Sequence, residues 1–163
     1  MELKSLHKSS VASAFEKAKH YRLLNDPENA ESICLDILQV VPDHQEATEV
    51  LILALADQFD GGSQQVKQAQ TYLDQLKNEF QRTYFAGLIC ERAARATLAT
   101  ATPFNRSTAH GWFNDAMEHF NKAEALSPAG NNDAILRWNS CARSIQKHKL
   151  KPRADDNFVA YGD

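Results

Sequence analysis

The residues most able to do chemistry are Asp115, Glu118 and His119, which lie within one helical turn of each other. Two carboxylates and an imidazole are groups that zinc accepts as ligands, so this spacing could in principle hold a metal ion. The neighbouring Ala116 and Phe120 define the buried side of the same predicted helix, which leaves the acidic cluster and its histidine largely solvated. No second ligand pair with a recognisable spacing occurs. We therefore predict neither a metal site nor a cofactor.

The cysteines and the other histidines do not form a nucleophile–base pair that the sequence can place. Cys34, Cys90 and Cys141 are odd in number, far apart and without any C-x-x-C spacing, and each lies within an apolar helical pattern. They are predicted to be small core residues in a reducing compartment. Four histidines lie near predicted helix ends or turns: His20, His44, His110 and His148.

Local motifs of common catalytic and phosphate-binding sites are missing from the sequence, including H-E-x-x-H, G-x-S-x-G and the Gly-rich nucleotide loops. The run Asp60-Gly61-Gly62-Ser63 could form a small anion nest. A glycine pair that ends one helix before a serine caps the next explains the same run as a turn, and we favour that interpretation. No residue is predicted to be catalytic, and an enzyme or metal protein with an unrecognised site is the least favoured alternative.

The composition is that of an ordinary globular domain, with 43% hydrophobic and 24% charged residues in 163. Eighteen basic and twenty-one acidic residues give a formal net charge of −3, and no stretch concentrates Lys and Arg into a stripe. The nearest basic cluster, 147–153, is followed at once by Asp155 and Asp156. We predict no nucleic-acid partner and no membrane partner. The N-terminal segment has no apolar run typical of a signal peptide, so a cytoplasmic protein is expected.

Hydrophobic periodicity predicts an all-α protein with about seven helices. The predicted helices begin or end at Gly and Pro positions and at capping residues, among them Asp26 with Pro27, Asp43 with Glu46 three residues later, and Ser63. The helices are expected at about 5–24, 27–41, 43–59, 63–80, 82–98, from beyond an irregular stretch at 100–107 to 126, and from 132 or 133 to about 148.

One spacing occurs twice in the chain. Ala30 is followed by Cys34, Ile37 and Pro42, and the same intervals separate Ala116 from Phe120, Ala123 and Pro128. This pattern resembles the tetratricopeptide repeat family, in which a small residue opens the second helix of a unit of about 34 residues and Pro closes it. Tyr21 and Ala18 match the family's positions in the first helix. A small side chain lets two helices approach, and the residue four positions later fills the gap.

The resemblance implies a right-handed superhelical array of antiparallel helix pairs. It divides residues 1–148 into repeats at about 11–44, 45–81 and 82–129 and a capping helix at about 132–148, followed by a disordered tail at 149–163. The second repeat matches weakly, with a Gly-Gly insertion and no closing Pro. An unrelated helical bundle is the structural alternative.

In the family, the first helices of each pair line a concave face that holds a partner. The resemblance therefore implies a row of partner-binding residues: Phe15, Lys19, Arg22, Glu49, Leu53, Asp57, Tyr84, Leu88, Glu91 or Arg92, Asn139 and Arg143. For the four large apolar or aromatic members, packing is the favoured interpretation, because exposed apolar patches are uncommon on stable monomers. Some members of the family grip a chaperone's C-terminal carboxylate with a set of Lys, Asn and Arg, and this chain departs from that set. Phe15 and Lys19 stand where the Lys and Asn are expected, and Gln81 and Phe85 replace the basic pair.

The predicted function is a protein–protein interaction adaptor or scaffold that binds a peptide or helix of another protein. A small secretion or assembly chaperone, binding an unfolded client and forming a homodimer, is the alternative. The segment 155–163 combines acidic residues with Phe158 and Tyr161, so it could dock into a groove of its own chain or of a neighbour.

Overall fold

The computed structural model describes residues 2–100 and 102–152, without the side chain of Pro103. This part of the chain holds seven α-helices, two single-turn 3-10 helices (Lys8–Ser10 and Leu73–Gln75) and no strand, which confirms the all-α prediction. The α-helices are α1 (Val11–Leu23), α2 (Pro27–Val40), α3 (Gln45–Asp57), α4 (Ser63–Gln70), α5 (Glu79–Ala99), α6 (Pro103–Leu126) and α7 (Asp133–His148).

Capping at the start of α2 follows the prediction, and capping at the start of α3 does not. Asp26 accepts a hydrogen bond from the backbone N–H of Asn29, and Pro27 occupies the first turn. At α3 the cap is His44, whose Nδ1 accepts from the N–H of Ala47 at 3.2 Å. Asp43 instead binds the ammonium group of Lys77 at 2.8 Å, so its carboxylate is directed away from the helix terminus.

Two other predicted boundaries are wrong. Ser63 is the first residue of α4 and does not cap it, and α4 ends at Gln70, where a turn separates it from α5. The stretch predicted to be irregular at 100–107 contains the start of α6, because the Thr102 hydroxyl caps the helix by accepting from the N–H of Asn105. Proline at the first position of a helix loses no needed hydrogen bond.

Contacts between helices fix their directions. Phe15 meets His44 near the starts of α1 and α3, and Arg22 meets Asp57 near their ends, so these helices run parallel. By the same reasoning α5 is parallel to α3, because residues 43–45 contact residues 75–77 and Asp57 contacts Arg92. Contacts of Glu91 with Arg137 and of Arg95 with Ser140 make α7 parallel to α5. Tyr84 contacts Phe120 while Arg95 lies over Phe113, which makes α6 antiparallel to α5.

The main core is built mostly from side chains of α5 and α6, together with those of the helices that pack on them. Phe113 and Phe120 are fully buried, and the ring of Phe120 packs directly on Gly87 of α5. A smaller apolar cluster under α1 and α2 includes Val11, Ala14 and Ile37. Gly87 thus lets α5 and α6 approach closely, and the ring of Phe120 fills the space that a side chain at residue 87 would occupy.

The three cysteines are free and buried, as predicted. Burial raises the pKa of each thiol, Cys34, Cys90 and Cys141, to about 12. They are therefore neutral packing groups at physiological pH.

Across the described residues, no helix combines the length and the apolar character needed to cross a membrane.

Candidate functional site

An open groove of about 330 Å³ lies where the ends of α1 and α3 meet the second half of α5. Because these three helices run parallel, their C-terminal halves bring side chains to the same end of the molecule. We call this the arginine groove. Its lining residues are Arg22, Asn25, Ala56, Asp57, Phe59, Arg92, Arg95 and Ala96.

Asp57 joins three helices at the floor of this groove. Its carboxylate lies 2.7 Å from Nε of Arg22 on α1 and 3.5 Å from an Nη of Arg92 on α5. The Asp57 side chain is 19% exposed, so it is held between the two guanidinium groups and largely out of water. The Arg22 contact is close but lacks hydrogen-bond geometry, which leaves this buried Nε without an acceptor.

A second carboxylate, that of Glu91 on α5, is also paired with two arginines. Glu91 is 1% exposed and accepts hydrogen bonds from Nε and an Nη of Arg95, at 3.1 and 2.8 Å. Its other oxygen lies 3.6 Å from Arg137 of α7 and has no hydrogen-bond partner. Arg95 also donates to the hydroxyl of Ser140 at 3.1 Å. Arg95 thereby connects the groove to α7.

Positive charge exceeds negative charge in this region. Among the residues that line the groove, three guanidinium groups, those of Arg22, Arg92 and Arg95, accompany one carboxylate, that of Asp57, a surplus of two charges. The buried Glu91, which pairs with Arg95 and Arg137, lies outside this lining. The C-terminal ends of α1 and α3 each contribute about half a negative charge, which reduces the surplus to roughly one. Arginine stays protonated and presents a fork of donors that matches a carboxylate, so the groove is suited to holding one anionic group.

Three residues of the predicted partner-binding row, Arg22, Asp57 and Arg92, meet in the arginine groove. Others lie elsewhere. Lys19 pairs with Glu16 and lies over the ring of Phe15, which in turn packs on His44.

The apolar members of that row mostly pack. Leu88 is a core residue at 3% exposure, Leu53 packs against the same core, and Tyr84 stacks on Phe80 and tilts against Phe120.

The remaining members of the row have different surroundings. Glu49 is half-buried on α3, and burial together with the nearby Glu46 raises its pKa. On α7, Arg137 reaches Glu91 and Ser140 reaches Arg95. Of the predicted α7 members of the row, Asn139 is half-buried and Arg143 is exposed.

Sequence reasoning missed Arg95 and Arg137. Arg95 lies three residues after Arg92 and four after Glu91, so extending the helical period of α5 by one turn would have found it. Arg137 lies on a face of α7 that the family pattern did not select. Only the packing of α7 on α5 brings it to Glu91.

The Asp115, Glu118 and His119 cluster lies on the outer side of α6, where both carboxylates are exposed. Partial burial and the neighbouring Glu118 raise the pKa of Asp115, and partial burial and Lys122 lower the pKa of His119. Within the described ranges, no group of three potential ligands is arranged to hold a metal ion.

Comparison of the chain with protein-family models, with curated proteins and with solved structures gives no match in any of the three.

Proposed function

We propose that this protein is a binding module for a segment of another protein, and that the arginine groove is its contact surface. The observation that carries the proposal is the convergence of Arg22, Asp57 and Arg92, from three separate helices, on one open groove with surplus positive charge. Converging charges on a rigid helical frame bind an acidic group at low entropic cost.

The repeated Ala-to-Pro spacing and the parallel odd-numbered helices support a tetratricopeptide-like superhelical array as the frame. In such an array the first helices of successive pairs form one continuous surface. The helices α1, α3 and α5, which line the groove, are the first helices of the three proposed pairs. The free cysteines are compatible with the cytoplasmic location that we propose.

The decisive variant is Arg22→Gln/Arg92→Gln. It removes two positive charges, while the glutamine amides can still donate to Asp57, so the buried carboxylate is not left without donors. The matched control is Lys67→Gln/Lys122→Gln, which makes the same change of charge at exposed positions of α4 and α6. Far-UV circular dichroism and thermal unfolding establish that both variants are folded.

Tagged wild type and both variants are then used for affinity capture from the native cells, with bound proteins identified by mass spectrometry. We expect a defined protein to be retained by the wild type and the lysine control, and to be lost by the folded arginine variant. Charge-assisted contacts are worth about 1.5–3 kcal/mol each, so the dissociation constant should rise at least about ten-fold. A partner retained equally by the arginine variant would refute the groove as the contact surface.

A further inference from the structure

A second opening lies beside the arginine groove. It has a volume of about 260 Å³, and its walls include Phe59, Val66, Ala93, Phe104 and Trp112. These side chains come from the segment just after α3, from α4, from α5 and from the first half of α6. We call this opening the aromatic pocket. Its size and its ring-bearing walls suit one aromatic or large apolar side chain.

The groove and the pocket are adjacent and share one wall. Phe59 lines both of them, and α5 contributes Arg92 and Ala96 to the groove and Ala93 and Thr97 to the pocket. A bound chain has to cross only the width of the Phe59 side chain to pass from one to the other. One extended segment can therefore reach both.

We infer that the partner presents an extended segment in which one acidic residue binds the arginine groove and an aromatic residue, a few positions away, fills the aromatic pocket. The inference rests on the proposed function and specifies the chemistry of the partner. Because Phe59 belongs to both linings, the two sites are one side chain apart, a separation that we expect an extended chain to cover in two or three residues at about 3.3 Å per residue. An acidic residue and an aromatic residue at that separation are the expected recognition element.

Two features favour this ligand chemistry. Three guanidinium groups in the groove lining accompany one carboxylate, and the planar fork of a guanidinium matches the two oxygens of a carboxylate. Burial of a ring in the adjoining pocket adds about 2 kcal/mol of apolar stabilisation. The two sites together then give a specific complex.

The probes are short fluorescein-labelled Gly/Ser peptides that carry one Glu and one Phe, with their separation varied from adjacent to roughly five residues. Fluorescence anisotropy with the full chain measures their dissociation constants. We expect binding to be tightest at a separation of two or three residues and at least about ten-fold weaker when Phe is replaced by Ala. Equal binding of the Phe and Ala peptides, or no binding of any peptide at about 1 mM, overturns the inference.

A pair of protein variants tests the pocket directly. Ser63 is exposed at its mouth, so Ser63→Phe places a ring of the protein's own in the opening, and Gln64→Phe adds the same ring one residue further along, outside the lining. We expect Ser63→Phe to reduce the affinity of the Phe peptide to that of the Ala peptide. Gln64→Phe should leave it unchanged. Unchanged binding by Ser63→Phe overturns the assignment of the pocket.

The captured partner separates this inference from the proposed function. A partner lost by Arg22→Gln/Arg92→Gln but retained by Ser63→Phe leaves the proposed function standing and overturns the inference. The chain's own Asp155-Asp156-Asn157-Phe158 has similar chemistry, so Phe158→Ala is included. An increase of more than about ten-fold in peptide affinity for this variant would assign the pocket to the chain itself and overturn a partner as the occupant.

Discussion

Substitution of Gly87 by alanine tests the packing that fixes α5 on α6. An ideal Cβ at this position would lie 2.6, 2.8 and 3.0 Å from three ring atoms of Phe120, closer than real Cβ atoms come to their neighbours. The ring is fully buried, so any movement of it displaces neighbouring side chains of a close-packed core. Overpacking of a dense core costs about 1–3 kcal/mol, and three close contacts place this case in the upper part of that range. Alanine in a helix returns about 1 kcal/mol of propensity. We expect a net loss of about 1–2 kcal/mol.

Gly111 provides the matched control, because it lies inside α6, is exposed, and has no atom within 4 Å of an added Cβ. Gly111→Ala should stabilise the protein by about 1 kcal/mol through helix propensity alone. Urea unfolding followed by circular dichroism measures both variants. If Gly87→Ala is as stabilising as Gly111→Ala, the reasoning about the contact between Gly87 and Phe120 is refuted.

A double-mutant cycle isolates the contact itself. In a Phe120→Leu background the ring is gone, and a Cβ at residue 87 should cost much less than in the wild type. We expect a coupling free energy of about 1 kcal/mol or more between the two positions. A coupling near zero would place the cost of Gly87→Ala elsewhere in the helix.

Three further perturbations address caps and buried charges. His44→Ala removes the acceptor for the N–H of Ala47 and should lower the free energy of unfolding by about 1 kcal/mol in urea, whereas His44→Asn, which keeps a capping oxygen, should lose less. The raised pKa of Glu49 means that the folded state disfavours its charged form, so Glu49→Gln should raise the thermal midpoint at pH 7; the gain should shrink as the pH falls through the pKa, and a gain independent of pH would contradict this sign. Glu91→Ala leaves its two arginines unpaired and should cost about 2 kcal/mol in urea, less than a fully buried pair because both arginines can be rehydrated; no measurable loss would contradict a structural role.

Helix existence was predictable from periodicity, whereas several helix ends depended on competition between capping groups. Asp26 with Pro27 was identified correctly, and Thr102 with Pro103 carries the same signal at the start of α6. We predicted an irregular stretch there and missed this signal. At α3, Asp43 precedes His44 and looked like the better cap, but its ion pair with Lys77 depends on a contact 34 residues away. Local sequence does not contain such a contact.

The candidate site, too, could be predicted only in part. The helical phase implied by the family resemblance placed Arg22 and Asp57 in one predicted row with Glu91 or Arg92, and in the structure Arg22, Asp57 and Arg92 line one groove. The sequence could not show which carboxylate each arginine meets, since Asp57 is 35 residues from Arg22 and also from Arg92. Nor could it show that Phe59 separates two openings. Which side chains pair across two helices depends on how closely and at what angle the helices pack, and hydrophobic periodicity does not encode that geometry.

The arrangement of charge bears on our proposal that the arginine groove is a binding surface. One guanidinium group neutralises a buried carboxylate, yet Asp57 and Glu91 each have two within 4 Å. Burying a carboxylate costs several kcal/mol, and a second arginine that stays partly exposed returns less than about 1 kcal/mol of stability. At Asp57 both arginines line the open groove, and at Glu91 Arg95 lines it whereas Arg137 does not. Orienting long side chains in advance reduces the entropy lost when a ligand binds. The two carboxylates hold Arg22, Arg92 and Arg95 in place, which is what the proposed binding of an acidic partner segment requires.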